Sequence, residues 1–183
     1  MGDPRRLKKK YTTPRHPWRA DRIEAEKKIR KEYGLKNMKE IWKVDYFLRG
    51  YKRHARRLSA LETEQAKKEE KQLLGRLARL NLVGENATLD DVLALKMDGV
   101  LGRRLQTVVL RKGLANTIGQ ARQFVVHGHI SIGGRKLTAP GYLVKKEEEN
   151  DIKFTENTAV EAIVNQPKAA ATKAPKVKAE AAE

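Results

Sequence analysis

The chain has 183 residues, 40 of them Lys or Arg against 23 Asp or Glu, and a formal charge of +17 with no cysteine. That length allows one or two domains with a modest core; the missing cysteines exclude disulfides, Cys-ligated zinc, iron–sulfur clusters and thiol catalysis, and suit a reducing compartment. No apolar run approaches the ~18 residues of a membrane span, so the positive excess, which would strain a free compact protein, points to a polyanion: nucleic acid first, acidic membrane a distant second.

The charge is segregated along the chain. Residues 1–60 hold 20 basic and 7 acidic residues, net +13, and residues 103–146 hold nine basic residues and no acid. Residues 61–102 and 147–183 are mildly acidic, at −2 and −3. Two anion-facing surfaces joined by a structural section would produce this pattern.

Residues 1–19 begin MGDPRRLKKKY, basic with no apolar stretch behind it, which is not a secretory signal. Gly2, Pro4, Pro14 and Pro17 and the scarcity of apolar residues predict an extended basic arm. Arg5, Arg6, Lys8, Lys9, Lys10, Tyr11, Arg15, His16 and Trp18 mix charge with stacking surface, which suits phosphates and unstacked bases. A helix is predicted over 20–33, with Glu24–Lys28 and Glu26–Arg30 as i,i+4 pairs and Gly34 as its stop. Asn37 and Glu40 read as a capping box opening a helix to about residue 58. Ile41, Val44, Leu48, Tyr51, Ala55 and Leu58 form its apolar stripe. Lys52, Arg53, His54, Arg56 and Arg57 fall mostly on the other side, free to reach phosphates. Residues 60–83 are expected to continue helically, burying a leucine cluster and ending at Asn81 to Gly84. Thr88 and Asp91 then cap a short helix.

From residue 103 the pattern changes. RRLQTVVLRKG predicts a short helix closed by Gly113, and a capping box at Thr117–Gln120 starts a second, closed by Gly128. HISI, the Gly133-Gly134 turn and RKL predict a hairpin. YLV and DIKF supply two further strand candidates. Arg103, Arg104, Arg111, Lys112, Arg122, Arg135 and Lys136 should surround this unit, and the helix start near Thr117 and Gln120 offers amides to phosphate. His127 and His129 have no Cys or carboxylate beside them and are read as structural or RNA-contacting; no metal site and no cofactor are expected.

This stretch resembles the S-four RNA-binding domain through Arg104-Leu105, Leu110, Gly113, Ala115, Thr117, Ala121-Arg122, Val125, Gly128, His129-Ile130, Ile132, Gly133-Gly134, Pro140, Val144 and Asp151-Ile152. It departs at Gly133, where the family often has Asn, and at Asn150, where it often has Gly. YTTPRHPW, YKRHARRL and QLLGRLARLNL extend the likeness over about residues 1–155 to the small-subunit ribosomal protein S-four family, archaeal or eukaryotic-like in form. The resemblance implies a structural constituent of the small subunit: a primary binder of the 5′ domain of its rRNA that nucleates assembly of the subunit body. It further implies contact with ribosomal protein S-five and other small-subunit proteins, proximity to mRNA at the entry channel, a part in translational accuracy, and a cytoplasmic location. Some bacterial members hold Cys-ligated zinc near the N-terminus; this chain has no cysteine to do so.

The expected class is α+β: arm 1–19, helical rRNA-binding section 20–102, S-four-like module 103–155 with its two-helix motif and small twisted sheet, and C-terminal extension 156–183, disordered from 166. An RNA-modifying enzyme sharing the module would need a large α/β catalytic domain, which residues 1–102 are too short and too helical to form; the chain is read as no enzyme. A stand-alone rescue factor for stalled large subunits would leave the arm and the first basic block without a purpose, and DNA compaction is the remaining rival.

Overall fold

The computed structural model describes residues 9–84 and 86–155. Arg5, Arg6, Lys8 and the extension 156–183 lie outside the described residues. Over the described residues the fold is α+β, mostly helical, with one three-stranded antiparallel sheet.

Helix α1 (Ala20–Glu32) ends where Gly34 takes φ +56°, so that the Leu35 amide reaches back to Arg30 O at 2.9 Å. Its predicted ion-pair ladder is replaced. Glu26 takes Arg22 at 2.6 Å and the Trp42 indole N–H at 3.3 Å, because its face of α1 lies against α2 (Met38–Ser59). In α2 the expected stripe is realised: Ile41, Leu48, Ala55 and Leu58 are buried, with Val44 and Tyr51 beside them.

The continuous helix expected from residue 60 does not occur. The chain leaves helix after Ser59, and Thr63 starts α3 (Glu64–Arg79) by accepting the Ala66 amide at 3.2 Å. A Thr followed by Glu is a sufficient start signal. Asn81, at φ +53°, ends α3 as expected. The Thr88–Asp91 box forms, with the Thr88 amide 2.8 Å from the Asp91 carboxylate, and opens α4 (Leu89–Ala94). A further short helix, α5 (Met97–Gly102), buries Val100, Leu101 and Gly102.

Helices α6 (Leu105–Arg111) and α7 (Ile118–Val126) pack as a pair, each ended by a glycine at positive φ, Gly113 and Gly128. Strands β1 (Ile130–Ile132) and β2 (Arg135–Lys136) are joined by Gly133-Gly134 at φ +55° and +78°. Positive φ at both positions is what the tight hairpin turn needs. Strand β3 (Ile152–Phe154) pairs on the other side of β1, giving the order β2-β1-β3. Of the two extra strand candidates, only DIKF joins this sheet. YLV instead lies along the entry to α6: the Leu105 amide donates to Tyr142 O at 2.8 Å and the Val144 amide to Arg103 O at 3.0 Å.

Among the described residues, three apolar clusters hold the fold together. One fills the module, from Leu105, Val109, Ala121 and Val125 to Ile130, Val144 and Ile152. A second joins the C-terminal half of α2 to α3 and α4 through Ala55, Leu58, Leu73, Leu77 and Val92. A third, Leu35, Ile41 and Leu101, lies where α1, α2 and α5 meet.

Candidate nucleic-acid interface

Nine basic residues without an acid from 103 to 146 would suggest an unopposed cationic surface. The fold brings the acids in from elsewhere. Arg104, with only 5% of its side chain exposed, donates to Glu40 Oε2 at 2.6 Å. Arg122 donates to the other oxygen, Oε1, at 2.8 Å. Arg103, 9% exposed, pairs with Glu149 at 2.6 Å and reaches Val144 O at 3.1 Å. The Lys112 ammonium donates to the Glu149 carbonyl, and Lys145 pairs with Glu148 at 3.0 Å. Arg103 and Arg104 therefore do not belong to the outward surface expected of them. They start α6, and burial obliges a charged guanidinium to find a carboxylate.

Glu40 and its two arginines form a node with Gln106. The Gln106 amide nitrogen donates to Gly34 O at 3.2 Å and Ile118 O at 3.0 Å, while its oxygen lies 3.4 Å from Arg122 Nη1. The α1–α2 junction, the start of α2, α6 and α7 are thus tied by one set of charge-assisted bonds. Burial alone would raise the Glu40 pKa, but the hydrogen bonds from Arg122 and Arg104 outweigh it and hold the carboxyl below its ordinary value. Asn37, predicted to share a capping box with Glu40, makes no side-chain cap bond.

Outside the arm, two groups of the predicted cations are left without an ion pair among the described residues. Among the described residues, Lys52, Arg53, Arg56 and Arg57 on α2 have no carboxylate within ion-pair distance, and neither has Arg76 of α3. His54 lies 3.6 Å from Glu69 and pairs only when protonated. The module contributes Arg111 and, on β2, the exposed Arg135 and Lys136. His127 is exposed; His129 is half-buried with its ring edge-on to Phe124. At the start of α7 the Thr117 hydroxyl accepts the Gln120 amide at 3.2 Å, and the Gln120 side chain accepts from Asn116, one residue outside the expected box. These two side chains are occupied as caps, while the space over Gly119 is open.

The described part of the arm, from Lys9, is neither helix nor strand. Tyr11 packs on Trp42 with centroids 6.3 Å apart, which lays the arm across α2. Arg15 and His16 are exposed, and Trp18 is 90% exposed. A tryptophan so placed is a stacking surface without a ring partner among the described residues.

Two grooves flank the face of α2. One, about 650 Å³, is chiefly apolar and lies between α2, α5 and the 140–143 loop, with Lys10 and Lys43 among its lining residues. The other, about 320 Å³, is lined by Tyr46, Phe47, Arg49, Gly50, Tyr51, Arg53, His54 and Arg76, with Thr12 of the arm. Sequence reading missed Tyr46, Phe47 and Arg76; Tyr46 and Phe47 lie on α2 just ahead of the predicted cationic run, but Arg76 lies on α3 and gave no local signal. Among the described residues no His, Cys, Asp or Glu cluster could hold a metal ion, and no helix is long and apolar enough to cross a membrane.

A family model described as the S4 domain matches residues 103–150. Over most of its length the chain is similar to proteins named small ribosomal subunit protein uS4. It is 52% identical to that of Methanothermobacter thermautotrophicus over 154 residues, 84% of this chain and 90% of the relative. It is 54% identical to that of Methanococcus aeolicus over 159 residues, 86% and 90% of the two chains. Identity is also 54% to that of Ignicoccus hospitalis, over 84% of this chain and 93% of the relative.

Proposed function

The chain belongs to the uS4 family of small ribosomal subunit proteins, and from that membership we propose that it is a structural, non-catalytic constituent of the small subunit that binds its rRNA. The observation that carries this reading is the sorting of cations. The buried arginines of the module are neutralised internally, by Glu40 and Glu149, whereas two groups of cations, on α2 and on the module, have no ion-pair carboxylate among the described residues. One face is the outer side of α2 with Arg76; the other is the end of α6 with the β1–β2 hairpin. Counterion release from phosphates supplies the affinity, and RNA shape supplies the fit.

The finer reading rests on the same two faces. Because the Glu40 node fixes them relative to each other, RNA helices held on both are constrained to one geometry. Binding then favours the folded junction over the open one. Primary binding to the 5′ domain and nucleation of subunit assembly are consistent with such a two-site grip. The flanking apolar groove would suit a neighbouring protein such as ribosomal protein S-five, and the remaining cationic surface would suit mRNA at the entry channel, with a bearing on accuracy.

Co-sedimentation tests the assignment. Salt-washed small subunits depleted of their own copy should retain the chain, and large subunits should not. Retention on large subunits, or preference for duplex DNA over folded rRNA in competition, would overturn it.

A further inference from the structure

Gly50 stands near the middle of the 22-residue helix α2, where glycine costs helix stability relative to alanine. Nothing among the described residues accounts for it: its φ is not in the left-handed region, and a Cβ built there meets nothing within 4 Å beyond the helix's own backbone. Gly50 lines the 320 Å³ groove, so the absent side chain leaves that groove open. Around it stand Tyr46, nearly half exposed, Phe47 and Tyr51 with rings 4.6 Å apart, and Arg49, Arg53 and Arg76. Among the described residues no acid lines the groove, and Arg53 and Arg76 have no carboxylate within ion-pair distance. Its volume is at the lower end of the ~300–1,000 Å³ typical of small-ligand sites.

We infer that this groove takes one unstacked nucleotide of the bound RNA. The base lies against Tyr46 and Phe47 over Gly50, and its flanking phosphates meet Arg53 and Arg76. Aromatic rings beside cations are the usual means of holding a splayed base, because every base has a face to stack and a phosphate to neutralise. An acidic peptide would satisfy the arginines but would leave the aromatic wall and the open space over Gly50 without a use. The inference rests on the rRNA-binding reading above.

The test uses the full chain and deproteinised small-subunit rRNA in a salt titration, with melting followed by circular dichroism. Gly50→Leu should melt no lower than wild type, since leucine favours helix, yet bind at least about tenfold more weakly because it fills the groove. Tyr46→Ala, at an exposed position, should bind about 5- to 150-fold more weakly with an unchanged salt slope. Arg53→Gln with Arg76→Gln should flatten the slope by about 0.7 per arginine. Wild-type affinity in both Gly50→Leu and Tyr46→Ala would overturn the inference. So would an effect confined to the arginine pair, which would mean phosphate contact without a base. If these variants bind rRNA normally but are lost from assembled subunits, the occupant is a protein and the inference fails. A wild-type chain that does not bind small-subunit rRNA would instead refute the parent reading.

Discussion

Glu40 is the residue on which the two halves depend most. It sits 64 residues from Arg104 and 82 from Arg122, with only 17% of its side chain exposed. Removing one member of a buried charge network strands the others, so Glu40→Ala should destabilise the fold by about 3 kcal/mol, measured by urea denaturation. Glu40→Gln should cost less, because an amide oxygen can still accept one guanidinium. The carboxyl's folded pKa lies below its ordinary value, so its contribution is present above the ordinary carboxylate range and lost as pH falls through the folded pKa. Wild-type stability should therefore drop on acidification below about pH 5, and the Glu40→Gln variant should show a shallower drop in the same titration. Gly34 is constrained twice over. It holds φ +56°, and a Cβ there would come within 2.9 Å of Gln106 Nε2 and 2.8 Å of Ile118 Cγ1. Gly34→Ala combines left-handed strain with overpacking against the node and should cost about 2–4 kcal/mol in the same denaturation assay.

Among the elements, α2 presents an apolar stripe to the core and cations to solvent, and its two faces predict different outcomes. Gln at Arg53, Arg56 and Arg57 should leave melting nearly unchanged while weakening rRNA binding, because surface substitutions of this kind fall within about 0.5 kcal/mol. Glu at both Arg104 and Arg122 should instead lower the melting temperature and reduce helical circular dichroism, since each would set a second carboxylate against Glu40. A fully folded double variant with weak binding would contradict this division. The sequence displayed the elements whose signals are local: the stripe of α2, the Thr88 and Thr117 starts, the glycine ends of α6 and α7, and the Gly133-Gly134 turn. It did not display α5, because six residues are fewer than two turns and give no period to read. Nor did it display the Ala60–Thr63 break, where charged residues on both sides favour helix. YLV read as a strand because β-propensity takes no account of which backbone it will meet, and here it met the start of α6. Charge counting placed Arg103 and Arg104 on the RNA surface for the same reason: the acids that bury them come from α2 and from Glu149, and no local rule sees a partner 64 residues away.

At the scale of the whole molecule, the opening excess of +17 resolves into cations consumed by the fold and cations kept for a partner. Lys52, Arg53, Arg56, Arg57 and Arg76 on one face, and Arg111, Arg135 and Lys136 on the other, are eight with no carboxylate within ion-pair distance among the described residues. The core clusters and the Glu40 node hold these faces in one arrangement, so they should act together on one RNA. The most direct measurement is the affinity of the full chain for deproteinised small-subunit rRNA as a function of salt. If the eight cations each neutralise a phosphate in duplex-like RNA, log K should fall against log salt with a slope of about −7. Replacing Arg135 and Lys136 by Gln should flatten it by about 2. A slope near zero, or one unmoved by those replacements, would contradict the two-faced electrostatic grip.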